Sequence, residues 1–158
     1  MTLIEIKRIV ESNDRVWEGW WPMLRTLSPL QLHRSIEGSY ANILSTLEHA
    51  VGSELWWQMR MEDRPDFEDP LPLISFDDID ARWHTLQARR LAWIAKADPN
   101  SEVRFKADDG SMQSIRTWEC MIHVASHSHF HRGQLVMQFR QIDLTPPSHH
   151  MIGRFMSP

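Results

Sequence analysis

The chain has 158 residues, 42% hydrophobic and 24% charged, and a formal net charge of -4 from 17 Lys plus Arg against 21 Asp plus Glu. These proportions suit one globular domain over 1–158 and exclude a disordered or low-complexity chain. The acidic balance, without a Lys/Arg run, speaks against nucleic acid as a partner. No stretch approaches the roughly 18 apolar residues of a membrane span, so no membrane is expected. The N-terminal segment lacks the apolar core of a signal peptide. The single Cys120 cannot form an internal disulfide and suits a reducing compartment. A cytoplasmic location is therefore expected.

Helical periodicity dominates. Thr2 and Glu5 have the spacing of a capping box. Apolar residues then recur from Ile6 through Val10, Trp17, Trp20 and Leu24 to Leu27, and Ser28-Pro29 ends this first helix. Leu30 to Gly38 reads as a connection. A second helix fits Ser39 to about Met61, with Ile43, Leu47, Ala50 and Trp57 as its stripe. Pro65 to Leu73 reads as a proline-bearing crossover. Ser75 caps a third helix with Asp77 and Asp78 in its first turn, and Asp98-Pro99-Asn100 ends it. Val103 and Phe105 alternate with polar residues before the turn Asp108-Asp109-Gly110-Ser111, so a short hairpin with Met112 to Ile115 is expected. A fourth long helix fits Arg116 to about Ile142, and Pro146-Pro147 begins a tail. Four helices with one long crossover predict an all-α four-helix bundle.

Nine histidines are many for this length, and six fall from His123 to His150. Residues four apart share a helix face about 6 Å apart along the axis. His127 and His131 can thus turn two imidazoles toward one divalent metal, and so can His123 and His127. His123 and His131 lie about 12 Å apart, too far to share an ion. His129 points to another face. A third ligand has to come from elsewhere, and His49 in the second helix is the candidate, although it lies off that helix's apolar stripe. Cys120 reads as a small buried hydrophobe. Gly133 reads as a site of close helix approach, and Arg132 and Gln134 as either supports of a site or packing residues.

The segment His127-Ser-His-Phe-His131-Arg132-Gly133-Gln134 resembles the HxxxHRGQ signature of the DinB-like superfamily, also called YfiT-like metal-dependent hydrolases. Ala41 to Val51, with His49, resembles that family's second-helix histidine segment. The resemblance covers nearly the whole chain. It implies a four-helix bundle with a metal, zinc or nickel, held by His49, His127 and His131. Relatives often carry an Asp shortly after the proline pair, where this chain has His149-His150, and His150 is a possible further imidazole if the tail reaches the site. Three protein ligands imply an open, catalytic position rather than a closed structural site. The resemblance further implies a small-molecule substrate and a low-molecular-weight thiol, as in thiol-dependent transferases. Metal-dependent hydrolysis, or a non-catalytic stress-related binding module, are the alternative readings. A homodimer is expected because the fourth helix has two apolar stripes, one through Trp118, Ile122, Ala125 and Val136 and one through Val124 and Leu135.

Overall fold

The computed structural model describes residues 1–38, 40–62, 75–107 and 109–155. Among them the order is α1 (Leu3–Leu24), α2 (Pro29–His33), α3 (Ile43–Met61), α4 (Phe76–Ile94), β1 (Glu102–Lys106), β2 (Met112–Arg116), α5 (Thr117–Gln141) and α6 (Ile152–Phe155). The protein is mostly helical with one two-stranded antiparallel sheet, as expected.

Local chemistry sets most of the boundaries. Thr2 Oγ1 accepts from Glu5 N, and Glu5 Oε2 accepts from Thr2 N at 2.7 Å, closing the capping box of α1. That helix stops at Leu24, short of Ser28-Pro29. Ser28 instead caps the separate helix α2, with Pro29 in its first turn and Gln31 completing a second capping box. The connection expected from Leu30 to Gly38 thus contains a helical turn. Helix α3 begins at Ile43, later than Ser39, because Asn42 accepts from Ser45 N at 2.9 Å and supplies the cap. The crossover expected over 65–73 lies outside the described residues. Ser75 Oγ accepts from Asp78 N at 3.1 Å and starts α4, which ends at Ile94, before Asp98-Pro99. The hairpin pairs Val103 with Ile115 and Phe105 with Gln113, and Gly110 takes the left-handed φ of 84° in its turn. The tail carries the one-turn helix α6, which periodicity did not indicate.

The four long helices close a ring of contacts. Helix α3 packs on α5 and α4, and α1 packs on α5 and α4. Two apolar layers fill the ring. One holds Trp17, Trp20, Trp21, Leu24, Leu47, Trp83, Leu135 and Phe139. The other holds Ile6, Val10, Met61, Ile94, Val103, Cys120, Met121 and Val124. Cys120 is therefore a core residue, and burial pushes its thiol up to about 12.

Between the layers each long helix contributes charge or hydrogen bonding. Asp14 comes from α1, Glu54 from α3, Arg90 from α4, and Ser128 and Arg132 from α5, all buried. Trp17 Nε1 donates to Glu54 Oε1 at 3.0 Å, and the Ser128 hydroxyl donates to the same oxygen. Arg90 Nη1 donates to Glu54 Oε2 at 2.8 Å, while its Nη2 pairs with Asp14. The Arg132 guanidinium lies 5.1 Å from the centroid of the Trp17 ring, and none of its nitrogens has a hydrogen-bond partner among the described residues. Burial alone would raise the Glu54 carboxyl, but Arg90, Ser128 and Arg132 outweigh it and hold it below the usual range.

Both apolar stripes of α5 turn into this interior. Val124, Ala125, Leu135 and Val136 are buried, and Trp118 is partly so. What remains outside on α5 is Ile122, at 37% exposure, Phe130, at 61%, and Met137, at 55%. Around Gly133 a Cβ would meet nothing within 4 Å, so this glycine does not serve close helix approach.

Candidate metal centre

Helices α3 and α5 form an extensive contact, and the site lies along it. The i, i+4 spacing puts His127 and His131 on one face of α5, and their Nε2 atoms are 3.0 Å apart. His49 reaches them from α3, its ring centroid 5.2 Å from that of His127 and 4.7 Å from that of His131. One nitrogen from each of the three lies within 4.8 Å of the others, the only such His, Cys or carboxylate group among the described residues. Metal–nitrogen bonds of about 2.0–2.1 Å in tetrahedral geometry place ligand nitrogens about 3.3 Å apart, so the spacing fits one ion.

The imidazoles are held in the donor state. Burial lowers all three below the usual histidine range, and His127 falls to about 4, with His131 and His49 adding to the effect. His131 is buried, and its Nδ1 donates to Gln134 Oε1 at 2.6 Å. That bond fixes the proton on Nδ1 and leaves Nε2 bare toward the other two rings. His49 is exposed, so the cluster opens to solvent on its α3 side.

Of the histidines that spacing left open, His123 is not part of the group. Its ring lies 5.1 Å from Trp57 and 5.8 Å from His127. His149 and His150 do not join it either. The tail is tied to α1 by Trp20 Nε1 donating to Ser148 O at 3.0 Å, and His149 stacks on His129 at 5.8 Å. Two contributors were not read from sequence. Tyr40 packs its ring 4.9 Å from His49 and 5.6 Å from His131. Glu54 lies in the buried knot through Ser128, the neighbour of His127, and its negative charge favours protons or cations on His127 and His131. Nothing local marks Tyr40, whereas Gln134 stands one turn after His131, a visible signal.

The family profile described as "DinB family" matches residues 3–154. The chain belongs to the DinB family. Within it, the chain is similar to "Uncharacterized protein YizA" of Bacillus subtilis (strain 168), with 24% identity over 155 residues, 96% of each chain. For a DinB-family protein the three-histidine cluster is thus a group able to hold a metal ion, set between two of the four long helices. No helix among the described residues is long and apolar enough to cross a membrane.

Proposed function

We propose that His49, His127 and His131 hold one divalent ion, zinc or nickel, and that the protein is a metal-dependent enzyme joining a small thiol to an electrophilic small molecule. The observation that carries this reading is the convergence of three neutral imidazoles whose open side is solvent-facing. Three neutral ligands leave a bound ion its full charge, which lowers the pKa of a thiol or water that it meets. The chain's own residues do the rest. Gln134 keeps the His131 lone pair aimed inward, and buried Glu54 balances charge behind the rings. In the transfer, the thiolate sulfur forms a bond to carbon, the leaving group departs with the electron pair of the broken bond, and the thiol proton goes to solvent. Among the described residues the only cysteine is buried, so no thiol of this chain is offered as the nucleophile. That single reduced cysteine also fits a cytoplasmic location.

Titration of low-molecular-weight thiols into cobalt-substituted protein tests the reading. A sulfur-to-metal charge-transfer band is expected. A metal spectrum unmoved by every thiol, with turnover of an ester or amide, replaces it by hydrolysis; absence of both leaves a non-catalytic binding module. We further propose a homodimer through the exposed ridge Ile122, Ser126 and Phe130 of α5. Light scattering that returns a monomer at micromolar concentration refutes it.

A further inference from the structure

Beside the histidine cluster runs a cleft of about 230 Å³ lined by Glu37, Gly38 and Tyr40 on one side and the last turns of α5 on the other. It shares two residues with the metal centre. Tyr40 packs on His49 and His131, and Gln134 accepts from His131. Three glutamines at i, i+4 and i+7 build its floor, and two of them hold the opposite wall. Gln138 Nε2 donates to Tyr40 O at 3.4 Å and Asn42 O at 3.3 Å, and its Oε1 accepts from Thr46 Oγ1 at 3.0 Å. Gln141 Nε2 donates to Glu37 O at 3.2 Å. The cleft is therefore formed without a ligand. From Gln134 to Gln141 it extends about 10 Å along the helix axis. The metal end is neutral, with the Gln134 amide and Tyr40. Glu37 lines the far end, and it forms no ion pair among the described residues. Among the described residues no Lys or Arg lines it.

We propose that this cleft seats the body of an elongated thiol whose sulfur goes to the histidine cluster, and that Glu37 selects a ligand with an ammonium group about 15 Å from that sulfur, the rise of the ten residues from His131 to Gln141. The inference rests on the thiol reading above and adds the side of approach, the length and the charge of the ligand. Anionic ligands are disfavoured by the same carboxylate. The attraction is that of a solvent-accessible ion pair, about 0.2–1 kcal/mol, so the preference amounts to about threefold at low salt and fades as salt rises.

The test uses cobalt-loaded protein and four thiols: aminoundecanethiol, mercaptoundecanol, mercaptoundecanoate and the short cysteamine. The charge-transfer band reports sulfur binding for each. Aminoundecanethiol is expected to bind about threefold more tightly than mercaptoundecanol, and mercaptoundecanoate more weakly than both. Glu37→Gln is expected to erase that order while leaving cysteamine, too short to span the cleft, unchanged. Met137→Trp, at an exposed lining position, is expected to weaken the three long thiols and spare cysteamine. If thiols give the band but their order survives Glu37→Gln, the cleft assignment is overturned and the thiol reading stands. If no thiol gives the band, both fall.

Discussion

Glu54 anchors the polar layer between the two apolar ones, and its removal gives the most demanding test of the fold. It is 1% exposed and accepts from Trp17, Ser128 and Arg90. At pH 7.5 the layer holds two carboxylates, Asp14 and Glu54, against two guanidiniums, Arg90 and Arg132. Burial pushes Asp14 up to about 6 and pulls Arg132 down to about 10, so both stay ionised at that pH. Glu54→Gln leaves a net positive charge in the interior, and Arg90→Met leaves a net negative one. Breaking a buried pair on one side costs about 3–5 kcal/mol. The double variant keeps Asp14 and Arg132, one of each sign, and is again neutral. It is expected to lose about 2–3 kcal/mol less than the sum of the singles. Urea unfolding with chelator present, to keep metal linkage out, measures all four proteins, provided that the slopes agree. Additivity within about 0.5 kcal/mol refutes the claim that these four charges act as one group.

Further outcomes follow from the site and from α5. His127→Ala should abolish stoichiometric cobalt binding while His123→Ala largely spares it; equal loss from both means that His123, not His131, is the partner of His127. Gln134→Ala, which releases the His131 proton, should weaken the metal about 10–100-fold in competition with a chromophoric chelator, and an unchanged affinity refutes its role. His127 titrates near 4 when folded against about 6.5 unfolded, so its contribution to the metal-free fold is whole above pH 6.5 and lost as pH falls toward 4. Thermal melts of metal-free protein should therefore decline through that window, and a His127→Phe variant should decline less. For the same reason metal binding at pH 7 should release few protons, giving calorimetric heats nearly independent of the buffer. Gly133→Ala should stabilise by about 0.5–1 kcal/mol, since the helix interior there is open and an added methyl meets nothing.

What sequence discloses here is what depends on neighbours in the chain. The Thr2–Glu5 box, the Ser75 cap, the hairpin about Gly110 and the i, i+4 histidines are settled within a few residues, and each lies where spacing placed it. The end of α1 was misjudged because Ser28-Pro29 reads equally as a stop or as the start of a new turn. The pairing of His127 with His131 rather than His123 depends on which turn of α5 faces His49, a contact 78 residues away along the chain that periodicity cannot show. The polar layer was invisible for the same reason. Glu54 meets Arg90 and Ser128 at separations of 36 and 74 residues, and in a lone helix each of them looks like part of a solvated face.

The close interleaving of charge and candidate ligands along α5 sets how the site would take up an ion. Ser128 and Arg132 directly follow His127 and His131, and both are buried. Sliding α5 by one residue would take the Arg132 guanidinium out of the polar layer and put an imidazole or Gly133 in its place. The register of α5 against α3 is thus locked by the fold itself before any ion arrives. In small zinc domains, by contrast, the ion drives the chain to fold. A metal held by these histidines would exchange from a preformed cradle, so ions would compete on size and geometry rather than on their power to organise a chain.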